Sequence, residues 1–358
     1  MQNLFSNLKV VDLSTVLAGP SVATFFSELG AEVVKIENPK TGGDVTRSWK
    51  LPQENAQSKV SAYFSAVNFK KKYVWLDLSN EDDKQAIIEL IKSADIVISN
   101  FKLGDDKKFG LTSDAIFEIN PRIIQAKIKG YSSSPERIAY DVVLQAESGF
   151  MFMNGTPDSG PVKMPVALID VLAAHQLKEG ILCALIHRAT TGKGSVVECS
   201  LEKSALASLV NQATNFLMTG FIPRAQGSLH PNIAPYGEIF YCKDQKPLVL
   251  AIGSDKQFQL LCNLIGKSAL PRDDRFSDNK KRVENREALA NEILEAFRLK
   301  DRAEWIQLFN SEQIPAGAIL NMQEVMENKT AQSMLCEESI DGVNTTRLSS
   351  IAFTIAES

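Results

Sequence analysis

Cysteine is scarce in this chain: five in 358 residues, at Cys183, Cys199, Cys242, Cys262 and Cys336. They are widely spaced and form no C-x-x-C pair, which argues against a disulfide framework or a thiolate metal site and for reduced, structural thiols. Histidine is scarcer still, with His175, His187 and His230 too far apart for metal-ligand spacing, so no metal is expected. No apolar run reaches the roughly 18 residues that a transmembrane helix needs. Lys9 and Asp12 interrupt the early apolar residues, so no secretory signal is expected and the expected setting is the cytoplasm. Basic excess is also lacking: 39 Lys and Arg against 43 Asp and Glu leave a net charge of −4, without the general footprint of a nucleic-acid binder. Two catalytic fingerprints are missing. "STVLAGP" is followed by Glu37 eighteen positions after Gly19, but the second and third glycines of G-x-G-x-x-G are absent. No G-x-S-x-G occurs, so a serine-hydrolase elbow is not supported. There is no internal repeat and no low-complexity tract.

What is present is ordinary globular material, 44% hydrophobic and 23% charged, with length for about two domains. "LKVVDLSTVLAGPSVATFFSELGAEVVKIE" reads as strand, turn, helix, strand. Val22, Phe25, Phe26 and Leu29 recur at helical spacing on one face. Pro20 suits the first helical turn and Gly30 the position just past the end. "YVWLDLS" reads as a strand, and "SNEDDKQAIIELIKSA" as a helix with a capping-box-like Ser79…Asp82. "DIVISNF" and "RIIQAKIKGY" are strands flanking a short helix near 113–119, and "GSVVECS" is another. Leu201 to Thr219 reads as one helix. Alternating β and α predicts a parallel sheet with helices on its faces, which binds ligands at the carboxyl ends of its strands. Composition then shifts to turn-rich β segments and helices near 255–265 and 286–311, predicting a smaller α+β domain at 223–313 after a large domain at 1–222.

Within "KMPVALIDVLAAHQ" one carboxylate, Asp170, interrupts an apolar run. The plain reading is a helix N-cap following a strand-like Val166 to Ile169. The sharper reading is a nucleophile at a helix start, where backbone N–H groups favour an anion. "KKK" at 70–72 reads as a solvated edge for Lys70. Lys71 and Lys72, with Arg47, Lys108 and Arg137, are candidates for holding a polyanion. His175 and His187 read as surface or structural residues of one helix.

Several segments together resemble the family III CoA-transferases, the group of the formyl-CoA and carnitine CoA-transferases. They include "LKVVDLSTVLAGP", "LGAEVVKIENP", "GGDVTRSW", "ADIVISNF", "NPRIIQAKIKGY", "YDVVLQAESG", "DVLAAHQLKEGILCALIHRATTGKGSVVECSL" and "HPNIAPYGEIFYCKDQKPLVLAIGSDKQF", in family order. The resemblance implies an interlocked homodimer. It also implies a Rossmann-like large domain completed by a C-terminal return, 314–358. The implied activity moves CoA from an acyl-CoA donor to a free carboxylic acid, with no cofactor beyond CoA itself. Asp170 matches the family's nucleophile, which passes through an aspartyl anhydride and an aspartyl-CoA thioester. By the same matching, Val16, Leu17 and Ala18 face the CoA and the reacting carbonyl. Asn100, Phe101 and Lys102 line CoA, and Lys108 meets its phosphates. Arg137, Ile138, Ala139 and Tyr140 form a loop over the pantetheine. Leu76, Asp77, Leu78 and Ser79 lie at the adenine side, where Ser79 has a competing cap role.

The chain departs from the family at several points. Leu17 replaces the polar side chain of the formyl and oxalate enzymes, which argues against oxalate as acceptor. Asn38 stands where a base is found, Ala173 and Ala174 where many members have a glycine, and a loop at 227–237 replaces a glycine-rich lid. Arg224 and His230 are candidates for a second carboxylate of a dicarboxylic acid, with a surface role as the plainer reading. The α-methylacyl-CoA racemases of the same superfamily carry G-H-D where this chain has "AYD". Tyr140 is a poor proton acceptor at neutral pH because a phenol titrates near 10. A transferase is therefore expected ahead of an isomerase or a non-catalytic CoA-binding relative.

Overall fold

The computed structural model describes residues 3–356, which form two compact units. Of the described residues, the first comprises 3–154, 160–224 and 330–356; the second comprises 155–159 and 225–329. The first unit is built on six parallel strands: β1 Lys9–Asp12, β2 Glu32–Glu37, β3 Lys71–Trp75, β4 Ile96–Ser99, β5 Ile124–Lys129 and β6 Ser195–Ser200. Their order is β3-β2-β1-β4-β5-β6, and every pairing is parallel. The expected α/β class and parallel sheet are thus present. The order reverses between β1 and β4, which opens a crevice at their carboxyl ends.

Successive strand residues point to opposite faces, and both faces are covered. One face packs Val10, Ile96, Ile98 and Ile124 against α1 (Ala18–Glu28) and against residues Ile169, Leu177 and Ile181. The other packs Val11, Val97 and Ile123 against Ile87 and Ile91 of α2 (Glu81–Ser93). Three further helices complete the parts near the crevice: α3 Asp141–Glu147, α4 Leu168–Thr191 and α5 Leu201–Ala207. The predicted helix from Leu201 to Thr219 is broken. Its second half is α6, Val210–Thr219, and Val210 at the break has φ of 38°, which an α-helix does not accommodate. An antiparallel hairpin of β10 (Leu335–Ile340) and β11 (Val343–Leu348) also belongs to this unit. It is tied in by Arg47–Asp341 at 2.9 Å and by a buried Arg347–Glu28 pair.

The second unit carries a three-stranded antiparallel sheet of β7 (Tyr236–Tyr241), β8 (Pro247–Ala251) and β9 (Ala316–Ala318). Its core mixes aliphatic side chains with aromatic pairs: Phe240 stacks on Phe297 at 4.4 Å, and Trp305 stacks on Phe309 at 5.5 Å. Among the described residues, no helix is long and apolar enough to cross a membrane.

Three local expectations are corrected. The cap of α2 is Asn80, whose side chain accepts from Asp83 N, while the Ser79 hydroxyl donates to Asp77 at 2.8 Å. β3 begins at Lys71 and stops at Trp75, so Lys71 and Lys72 lie inside the strand. Alternation turns Lys71 inward, and Arg47 is buried too, so neither is free for a polyanion: Lys71 pairs with Asp12 at 3.0 Å and Arg47 with Glu37 at 2.5 Å. Lys72, on the exposed side, pairs with Glu32 at 2.7 Å.

Candidate active site

The loop leaving β1 bends sharply before α1. Val16 has φ of 75°, a region that β-branched residues rarely enter, and it persists only where the surroundings enforce it. The enforcement is visible. Val16 N donates to both Asp44 carboxylate oxygens at 3.1 and 3.3 Å. Asp44 is buried and paired with the buried Lys35 at 3.3 Å, and Lys35 Nζ also donates to the Ser14 carbonyl at 2.7 Å. One residue earlier, Thr15 and Asn100 exchange hydrogen bonds, N to Oδ1 at 3.0 Å and Nδ2 to O at 2.9 Å. That exchange bridges the ends of β1 and β4 across the crevice. Gly19 permits the close approach of α1, since a Cβ there would lie 2.2 Å from Ser14 Oγ. The N-cap of α1 is Leu17, which has no side-chain acceptor. The helix therefore begins with N–H groups that no side chain caps, a favourable setting for negative charge.

Asp170 is not the N-cap of its helix, and no strand precedes it. α4 starts at Leu168 after Ala167, so Asp170 is the third helical residue. The capping is done by Asp141 of α3, whose Oδ1 accepts from Ile169 N at 2.7 Å and from Asp170 N at 3.4 Å. Among the described residues, no group donates to the Asp170 carboxylate and no cation pairs with it. Burial, and then the negative charge of Asp141, push its carboxyl up to about 7. Tyr63, on the short helix Ala62–Ala66, is in electrostatic reach of the same carboxylates. Its phenol is raised by burial and then by Asp170, Asp141 and Asp44, so it stays protonated.

Asp170 opens into a cavity of about 590 Å³. Of the residues singled out from sequence, Val16, Leu17, Ala18, Asn100, Phe101, Lys102, Arg137, Ile138, Ala139 and Tyr140 line it with Asp170. A smaller cavity of about 240 Å³ lies beside it, sharing Thr15, Asn100, Phe101 and Lys102 and adding Leu76 and Leu78. Asp77, Ser79 and Lys108 line neither. Asp77 is held by Lys40 at 2.6 Å, and Lys108 Nζ lies 5.3 Å from the centre of the Phe109 ring. Arg137 borders the large cavity while paired to Glu147 at 2.5 Å and stacked 4.0 Å over the Tyr131 ring. His175 and His187 are exposed on α4, and His230 packs edge-on to Tyr236 within the second unit. No group of described residues is arranged to hold a metal ion.

Sequence reasoning missed Asp141, Asp44, Lys35 and Tyr63. For Asp141 a signal existed: it is the acidic residue of "AYD" and opens a helix. Nothing local marks Asp44 or Lys35, whose roles arise only where β1, β2 and the turn at 44–48 meet.

The comparisons with known proteins concern the fold and the family. The sequence model of CoA-transferase family III matches residues 5–355. An acyl-CoA transferase from Fusarium pseudograminearum is 36% identical over 95% of this chain and 76% of its own. A succinate–glutarate CoA-transferase from Agrobacterium fabrum is 33% identical over 92% of this chain and 83% of its own. Among solved structures, a CAIB/BAIF family protein from Brucella suis superposes with a TM-score of 0.87 at 34% identity, covering 100% of this chain and 94% of that one. A six-stranded parallel sheet of this order, a carboxylate at its crevice and a match over nearly the whole sequence lead to one conclusion: the chain belongs to CoA-transferase family III.

Proposed function

We propose that this enzyme carries CoA between carboxylic acids on Asp170. The observation that carries the reading is that carboxylate itself. It borders the large cavity, has no cation or hydrogen-bond donor to occupy it, and faces the same space as the uncapped start of α1.

An ionised Asp170 oxygen attacks the thioester carbonyl carbon of the donor. A C–O bond forms, the C–S bond breaks, and its electron pair leaves on sulfur as CoA thiolate. The product is a mixed anhydride. The thiolate then attacks the aspartyl carbonyl carbon, forming an aspartyl-CoA thioester and releasing the donor acid as its carboxylate. The acceptor carboxylate runs both steps in reverse, so no proton or electron is consumed overall. Splitting one difficult exchange into addition and return steps is the general gain of covalent catalysis. Each addition places negative charge on a carbonyl oxygen. Backbone N–H groups at the start of α1, held by the Val16–Asp44 contact, are suited to receive it.

CoA fits the paired cavities in this reading. The thioester lies near Asp170, with Val16, Leu17 and Ala18 facing it. The pantetheine runs past Asn100, Phe101 and Lys102 under the 137–140 loop, and the adenine end lies towards Leu76 and Leu78. The chain's own acids are sought first among dicarboxylates, because the Agrobacterium relative is named for succinate and glutarate. The assembly proposed is the interlocked homodimer. Exposed Phe216, Leu217, Met218, Phe221 and Ile222 at and beyond the end of α6 supply an apolar surface for it. Light scattering that returned a monomer would remove that part.

The test of the covalent path is trapping. Hydroxylamine, with succinyl-CoA present, should convert Asp170 to a hydroxamate detectable by mass on its peptide. The signal should vanish without acyl-CoA and survive a chelator. Turnover with no modified Asp170 peptide would overturn the aspartyl route in favour of direct exchange between the two acids.

A further inference from the structure

The entry into α4 is gripped by two side chains of α3 that stand one helical turn apart. Asp141 and Gln145 meet at i,i+4, where Gln145 Nε2 donates to Asp141 Oδ2 at 2.6 Å. Gln145 is fully buried, and its Oε1 accepts from Met164 N at 2.8 Å. Its Nε2 also reaches the Val166 carbonyl at 3.4 Å. With its other oxygen, Asp141 takes the N–H groups of Ile169 and Asp170. The chain is therefore fixed at Met164, Val166, Ile169 and Asp170, by groups that all belong to α3.

This arrangement has a chemical consequence. The first N–H groups of a helix are the natural partners of an anion placed there. Here Asp141 already occupies those of Ile169 and Asp170, and its own charge stands beside Asp170. We propose that Asp141, oriented by Gln145, is a positioning residue that fixes the backbone of Asp170 and withholds helix-start donors from its carboxylate. Asp170 is thus left unstabilised as an anion and correspondingly reactive. The inference rests on Asp170 being the nucleophile.

The groups facing Asp170 support the electrostatic part. Asp141 comes from α3, with exposed Tyr140 beside it, and Tyr63 comes from the Ala62–Ala66 helix. Lys127 and Lys129 of β5 border the same cavity. Lys129 is committed to Glu198 at 2.6 Å, and Lys127 Nζ donates to Ser113 Oγ at 2.6 Å. Burial itself, and then the negative charge of Asp141, raise the Asp170 carboxyl.

Removing the negative neighbour favours ionised Asp170, so the acid limb of kcat/KM should move to lower pH. In Asp141→Asn, which keeps an oxygen for the Ile169 N–H, and in Asp141→Ser, which is uncharged but shorter, that limb should shift down by about one pH unit or more. Gln145→Met keeps every charge and removes the orienting donor. It should lower kcat by about tenfold or more while leaving the acid limb in place. Trapping of the Asp170 peptide by hydroxylamine, followed against pH, should shift in parallel in the Asp141 variants.

A merely structural role would reduce kcat or thermal stability in all three variants and leave the limb unmoved. An unmoved limb in a folded Asp141→Asn or Asp141→Ser enzyme would overturn the proposal. Asp170→Ala is the separate control. If it retains transfer, the nucleophile reading fails, whatever the Asp141 variants do.

Discussion

Asp12 and Asp170 are two carboxylates of one structural unit with opposite fates. Asp12 ends β1 and has no exposed surface. Burial opposes its charge, yet Lys35 at 3.7 Å and Lys71 at 3.0 Å, with the Ser14 hydroxyl, hold its carboxyl below the usual value. Asp170 is partly buried, has no cation beside it and stands next to Asp141, so its carboxyl rises to about 7. The difference teaches what each is for. A low-dielectric site can keep a carboxylate ionised only by supplying partners, and a partnered carboxylate is a poor nucleophile because its lone pairs are engaged. Asp12 fixes a loop. Asp170 keeps the unengaged lone pairs that the proposed nucleophile requires.

The largest way to break the comparison is to remove each carboxylate in turn. Asp170→Ala should lower transfer by on the order of 10⁴–10⁶. Because no hydrogen bond to its carboxylate is lost, urea unfolding should move by only about 0.5 kcal/mol. Asp12→Ala should do the reverse to stability, costing about 3–5 kcal/mol, because it strands the buried Lys71 without its counterion and leaves Lys35 with Asp44 alone. An Asp170→Ala enzyme with near-normal turnover, or an Asp12→Ala enzyme with normal stability, would dissolve the contrast.

Acid separates the two more gently. In the proposed mechanism transfer needs ionised Asp170, so kcat/KM should fall about tenfold per pH unit below about 7. The contribution of Asp12 to stability has a depressed folded value. It is therefore fully present above 3.8 and is lost only as pH falls through the lower folded value. Between pH 7 and 5 activity should therefore decline while this contribution to the melting temperature stays constant. An activity profile flat to pH 5 would contradict the state assigned to Asp170. The smallest expected effect is a null one. In heavy water, no Asp170-dependent deuterium should enter the carbon next to the thioester carbonyl of a 2-methylacyl-CoA. Fast exchange there would move the enzyme to the isomerases despite Tyr140.

The sequence was most legible where a pattern closes over a few residues. Val22, Phe25, Phe26 and Leu29 share a face because a helical turn brings them together, and they are buried as their spacing requires. The strands of the parallel sheet were readable as short apolar runs between turns. Legibility failed at element ends. Ser79 and Asn80 are both good caps, and only the position of the preceding turn chooses Asn80. The run Val166 to Ile169 is rich in strand formers, yet its second half begins α4, because a cap arrives from Asp141, 28 residues earlier in the chain. The candidate site divides in the same way. The backbone of Val16 to Ala18, the Asn100 to Lys102 stretch and the 137–140 loop were all named from sequence and meet at one cavity. Lys108, Asp77 and Ser79 were named as well, and they line neither cavity.

By itself, then, the sequence determined the alternation of strand and helix, the apolar faces and the identity of the one carboxylate set in an apolar run. These depend on spacing along the chain, which the backbone converts to geometry at fixed periods. Which lysines are buried, which aspartate caps α4 and which is left unpartnered were decided only by tertiary structure. Charge interactions depend on distance and on exclusion of water, and both are set by segments far apart in the chain. Asp12, Asp44, Asp141 and Asp170 are the same residue in the sequence. Lys35 and Lys71 make the first an anchor, Val16 makes the second a clamp, Ile169 makes the third a cap, and the absence of any such partner among the described residues sets Asp170 apart.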